Sequence, residues 1–167
     1  MKSITWQTVR GLFDWRHPGT ITSPVIGFFG AGYYSHIDVI TPFNYLRGAR
    51  SDVIQGIEPG YRDRPQNYEK WAKQTRWTLS VTDEQFQAYW DYSNLQIGKP
   101  YDTHGLIETF ALGRDWKDDG SWWCSEEVAM NGQVAGLWKL PPEILRVTPG
   151  DNVMIFVGAG ATRQEMP

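Results

Sequence analysis

The sequence predicts an α+β fold in which a mainly antiparallel sheet is covered on one side by helices. Three observations lead there. Short segments rich in Val and Ile, bounded by Gly, Pro or Asn, come first; segments with helical spacing follow; and an apolar run near the end, 153–157 (VMIFV), reads as a strand suited to a central position. Strands, then helices, then a closing strand place the helices together against one face of a sheet.

Taken in order, 24–29, 35–40 and 52–57 have the composition of strands, with Gly30, Gly32 and Gly48 supplying turns. Residues 58–68 (EPGYRDRPQNY) are polar and rich in turn formers, and read as one long surface loop. Residues 76–81 (RWTLSV) alternate with period two and form a fourth strand. A helix should begin after Thr82, whose spacing to Gln85 fits a capping box, with Phe86, Tyr89, Trp90 and Ile97 on one face. Gly98 stands where a left-handed cap ends such a helix, and Pro100 follows it. A shorter helix is predicted over 104–112, stopping at Gly113, and another from Cys124 to about Val134.

The chain has 167 residues, the size of one domain, and no repeat or low-complexity linker divides it, so 1–167 is read as a single domain. Hydrophobic residues make up 41% and charged residues 21%, and the mean hydropathy is -0.47, which excludes disorder and collagen. The net charge is -3 with a pI near 5.6 and no basic stripe, so nucleic acid is not an expected partner. The apolar runs are far too short for a membrane span. Residues 1–10 carry Lys2 without an apolar core, so no Sec leader is expected. Nine Trp, eight Tyr and seven Phe must line a core or a groove.

One cysteine cannot form an internal disulfide, so Cys124 is either a small buried hydrophobe or a reactive thiol. Its setting, 120–130 (GSWWCSEEVAM), puts it in the first turn of a helix, where the helix dipole and open N–H groups favour a thiolate. A thiolate nucleophile needs a base. His17 precedes Pro18 in a loop and His104 opens a short helix, whereas His36 sits in a strand flanked by apolar residues. Asp38 shares its face by period two and can orient it. His36, Asp38, Asp102 and His104 carry metal-ligating atoms, but their spacing matches no zinc signature, and no phosphate-binding loop is present, so no metal or other cofactor is expected.

Ser35-His36-Ile37 on a strand, Val53-Ile54-Gln55 on the next, Gly98-Lys99-Pro100-Tyr101-Asp102 after a helix and Trp123-Cys124-Ser125-Glu126 at a helix start together resemble the circularly permuted NlpC-type papain-like hydrolases, in their YiiX-like branch. The resemblance covers roughly residues 18–151. It implies a permuted papain-like fold in which the nucleophile's helix packs on a small barrel-like antiparallel sheet, with the histidine preceding the cysteine. It further implies that Cys124 is the nucleophile, His36 the base and Gln55 the third, orienting residue, with Asp38 or Glu58 as substitutes for Gln55. By the same likeness Tyr101 and Ser125 lie at the oxyanion and substrate-binding side.

Three functions are compatible with these residues. The first is a cysteine amidase or endopeptidase acting on cell-wall peptides, the substrates the resemblance implies. Such an enzyme would be cytoplasmic as synthesised and delivered by a phage or a secretion system. The second keeps the catalytic pair but transfers or hydrolyses a lipid or thioester acyl group in an aromatic groove. The third is a non-catalytic binding module on the same fold, for which a neutral Gln55 and the aromatic loop 115–123 speak.

Overall fold

Alternation organises the first ten residues: Ile4, Trp6 and Thr8 point one way and Gln7 and Val9 the other, and all five are buried. A strand covered on both faces belongs in the middle of a sheet, and β1 (Lys2–Gly11) occupies that place in the computed structural model, which describes residues 1–11, 34–102, 121–141 and 147–167. It pairs antiparallel with β2 (His36–Ile40) on one side and β5 (Trp71–Val81) on the other. With β3 (Leu46–Arg50), β4 (Gly60–Arg64) and β6 (Thr162–Met166), the sheet has six strands in the order β4-β3-β2-β1-β5-β6, all antiparallel.

Register decides what each face carries. Trp6 lies opposite both Val39 and Trp77, so these three side chains share a face, and Ile4 and Ile37 join them. Among the described residues three helices cover this face: α1 (Asp83–Gln96) contributes Tyr89 and Trp90, α2 (Cys124–Val134) contributes Val128, and α3 (Pro149–Gly158) contributes Phe156. Phe156 stacks on Trp6 with ring centroids 4.5 Å apart, and the Trp6 indole N–H donates to the Tyr89 hydroxyl at 2.9 Å. Burying side chains of this size contributes about 1.5–3 kcal/mol each, which makes Trp6 the centre of the core. His36 and Asp38, out of phase with Ile37 and Val39, share the opposite face, where their partners on β1 are the buried Val9 and Gln7.

The α+β class and the helix after Thr82 agree with the sequence. Thr82 and Gln85 form the capping box, and Gly98 adopts φ 93° just past the helix end. Ile97 does not share the apolar face, because it is the C-cap with extended ψ and is 45% exposed. The helix from Cys124 to Val134 has the expected bounds. Gly48, expected in a turn, lies mid-strand in β3, and four elements also need correction. Residues 153–157 are not a strand but the body of α3: Thr148 and Asp151 form a capping box with Pro149 in the first turn, and Asn152 and Phe156, four apart, face inward. Residues 52–57 are not a strand either, because Gln55 and Gly56 have φ of 51° and 77° and reverse the chain between Ile54 and Ile57. The polar segment 58–68 contains β4, and the strand at 76–81 begins earlier, at Trp71. The predicted elements at 24–29 and 104–112 lie outside the described residues. Among the described residues no helix is long and apolar enough to cross a membrane.

Candidate active site

The site is assembled where the start of α2 meets the start of β2. Trp123 is the N-cap of α2 and makes no side-chain capping bond, in contrast to the Thr caps of α1 and α3. Cys124, the first helical residue, stands at the positive end of the helix, with Glu126 and Glu127 in the same first turn. The thiol is buried, receives a backbone hydrogen bond from Ile37, and lies within charge and hydrogen-bond range of the His36 imidazole.

His36 lies between two acidic groups. Its Nε2 is 2.8 Å from Asp38 Oδ1, and its ring also meets Cys124. Burial pulls the imidazole pKa down, but Asp38 and Cys124 outweigh it and raise the pKa to about 9. Burial pushes the Cys124 thiol up, and the charge and hydrogen bond of His36 more than reverse this, so the net shift is downward. Asp38 behaves alike: burial raises it, and His36, Tyr68 and Arg50 bring it below the usual range. All three shifts favour imidazolium, thiolate and carboxylate held together.

The wall behind this trio is made by residues to which no sequence pattern pointed. Tyr68 donates its hydroxyl hydrogen to Asp38 Oδ2 at 2.8 Å. Trp71 lies nearly parallel to the His36 ring, centroids 6.0 Å apart, and meets Tyr68 edge-on at 5.6 Å. The Arg50 guanidinium lies 5.8 Å from the Tyr68 ring and 5.6 Å from the Trp71 ring, and pairs with Glu69 at 2.7 Å and Asp52 at 3.5 Å. Gly48 leaves the room Asp38 needs, since a Cβ there would lie 2.0 Å from Asp38 Oδ1. These contacts arise from cross-strand register and from the 65–71 connection, so only the pairing of strands reveals them.

Of the other site residues expected from sequence, Tyr101 is brought in and Gln55 and Glu58 are not. Tyr101 bridges in parallel to Trp122, with Asp102 N–H on the Trp122 carbonyl and Trp122 N–H on the Pro100 carbonyl, both at 3.1 Å. That pairing sets Tyr101 beside the start of α2; burial, and then the charge of Cys124, push its phenol upward, so the hydroxyl stays protonated and remains a donor. Ser125 is buried, and its carbonyl accepts from Asn152 of α3 at 2.8 Å, which ties the start of α2 to the core. Gln55 is exposed at the 54–57 turn and donates to the Tyr68 carbonyl at 3.1 Å instead of to the imidazole. Glu58 is exposed, and its backbone carbonyl accepts from Arg64. The partner of His36 is Asp38, offered by the sequence as the substitute. His17 and His104 lie outside the described residues, and among those described no group of three His, Cys, Asp or Glu is placed to hold a metal.

No protein-family model matches the chain, and no curated protein matches it. Chemically, the arrangement brings together a thiol whose ionisation is favoured, an imidazole that can hold and return a proton, a carboxylate bonded to that imidazole, and N–H and O–H donors at a helix start. Those are the parts of acyl transfer through a thioester.

Proposed function

We propose that the protein is a cysteine hydrolase that cleaves an amide bond, with Cys124 as nucleophile, His36 as acid and base and Asp38 orienting the imidazole. The observation that carries this reading is the placement of the buried His36 ring between Asp38 and the thiol at the start of α2. The thiolate adds to the substrate carbonyl, and backbone N–H groups of the first helical turn, with the Tyr101 hydroxyl beside them, hold the oxyanion. His36 gives its proton to the departing amine, leaving an acyl thioester on Cys124. It then takes a proton from water, which adds to the thioester and releases the acid and the thiol. The carboxylate that a neutral Gln55 could not supply comes from Asp38, which removes the main ground for reading the chain as a non-catalytic module.

The substrate class rests on the resemblance to NlpC-type hydrolases: a peptide bond of the bacterial cell wall. Delivery by a phage or secretion route belongs to the same proposal. Turnover of purified cell-wall peptides and of acyl thioesters, followed by mass spectrometry, tests it. Peptide cleavage is expected, with a bell-shaped pH profile whose acid limb reports thiolate formation and whose alkaline limb falls near pH 9, where His36 loses its proton. Cys124→Ala should abolish it, and His36→Ala should cost about 10²–10⁴ in kcat/KM. Turnover of thioesters alone would overturn the amidase assignment in favour of an acyltransferase or thioesterase.

A further inference from the structure

Tyr68, His36, Asp38 and Trp71 form a closed circuit of contacts, each side chain touching the next: the Tyr68 hydroxyl on Asp38 Oδ2, Asp38 Oδ1 on His36 Nε2, the His36 ring against Trp71, and Trp71 edge-on to Tyr68. Tyr68 is 4% exposed. Its backbone is also fixed, with its N–H on the Pro65 carbonyl at 3.0 Å and its carbonyl taken by Gln55. A carboxylate has one soft torsion at its end, so a single bond to histidine leaves it free to turn. A second donor on the other oxygen removes that freedom.

We infer that Tyr68 is the positioning residue of the site, locking the Asp38 carboxylate so that Oδ1 faces the imidazole, with Trp71 and Arg50 holding the phenol in place. The inference rests on the Cys124–His36 reading above and extends it to a residue that touches neither the thiol nor the imidazole's bonding nitrogen. Gln55, which stands off the histidine, reaches only the Tyr68 backbone carbonyl. The titratable and charged groups that bear on Asp38 are His36 on its own strand, Arg50 of β3, Arg64 of β4, Tyr68 itself, Glu69 beside it, and Cys124 and Glu127 of α2. Of these, Tyr68 and His36 hydrogen-bond its two oxygens. Loss of the Tyr68 hydroxyl lets the carboxylate turn off the imidazolium. The imidazolium then releases its proton at lower pH, and the thiol loses its counter-ion and titrates higher.

The test is iodoacetamide labelling of the native protein against pH, read by intact mass, on wild type, Tyr68→Phe, Asp38→Asn, the double variant and His36→Ala. Tyr68→Phe keeps the ring and its edge-on contact with Trp71, so the melting temperature controls for folding. The expected result is a Tyr68→Phe inflection displaced toward the free-thiol value of about 8.5, with labelling at pH 7 slowed about three- to tenfold, the worth of one hydrogen bond. Asp38→Asn should have the larger effect, and adding Tyr68→Phe to it should change nothing further, because the tyrosine acts through the aspartate. An unmoved inflection in Tyr68→Phe, or an effect that adds fully to that of Asp38→Asn, overturns the inference while leaving the Cys124–His36 pair standing. An inflection unmoved by His36→Ala overturns both.

Discussion

Gly48→Ala is expected to remove the reactive thiolate without touching the cysteine, the histidine or the aspartate. Gly48 lies mid-strand in β3, outside the left-handed region of φ, so space and not conformation makes it glycine. An added Cβ would stand 2.0 Å from Asp38 Oδ1 and 3.1 Å from both Asp38 Cγ and the Ile37 carbonyl oxygen. Because β2 and β3 are paired and buried, the carboxylate must leave, giving up His36 on one oxygen and Tyr68 on the other. A buried carboxylate stripped of its partners costs about 3–5 kcal/mol. The expected outcome is a fall of that order in urea-unfolding stability, with alkylation at pH 7 slowed to the rate of Asp38→Asn. Asp38→Ala combined with Gly48→Ala should restore much of the stability and none of the reactivity, since the clash goes and the carboxylate is still missing. Wild-type alkylation in the single variant would show that Asp38 does not govern the thiol.

Glu127→Gln is expected to alter how stability depends on pH. Glu127 is one helical turn beyond Cys124, fully buried, with Asn131 Nδ2 on its Oε1 and with Tyr61, Tyr89 and Arg47 around it. Burial pushes its pKa up to about 8, against smaller downward pulls from Tyr61, Asn131 and Arg47. The folded protein therefore holds this proton more tightly than the unfolded chain, whose glutamates titrate near 4.3. Its contribution is fully present below that value and is lost as pH rises through about 8, a change on the order of 5 kcal/mol at 1.36 kcal/mol per pH unit. His36, with its pKa raised to about 9, loses its contribution over an overlapping range, as pH rises from about 6.5 to 9. Glutamine copies the neutral acid in shape and cannot ionise. Urea unfolding at pH 5, 7 and 8.5 should therefore show a variant that is no more stable than wild type at pH 5, is more stable at pH 8.5, and keeps only the His36 part of the decline. Parallel curves would place the alkaline loss elsewhere.

How much of this was legible in the sequence depends on whether the signal was local. The start of α1 is written in Thr82 and Gln85 and the reach of α2 in its 3.6-residue spacing, and both were readable. The run VMIFV was ambiguous by length alone, since five apolar residues suit a strand or one side of a helix. The deciding signal was just upstream, in Thr148, Pro149 and Asp151. Gln55 and Gly56 misled for a related reason: flanking Ile residues resemble a strand, while a polar residue followed by glycine between two apolar ones also marks a two-residue turn. β1 was missed although its signal is local, since Ile4, Trp6 and Thr8 alternate cleanly. In the site, His36, Asp38 and Cys124 could be named from strand period and helix position. Arg50, Tyr68 and Trp71 could not, because what brings them to His36 is the pairing of β2 with β3 and the path of the chain into β5.

Whether His36 sustains Cys124 as a thiolate is read from the pH dependence of iodoacetamide labelling in wild type, His36→Ala and Gln55→Ala. With a single cysteine in the chain, each adduct reports that one thiol. The expected result is a wild-type inflection well below about 8.5, a His36→Ala inflection displaced to or above that value, and little change in Gln55→Ala. A wild-type inflection at the free-thiol value, indifferent to His36→Ala, would contradict it and leave Cys124 a buried residue of the core.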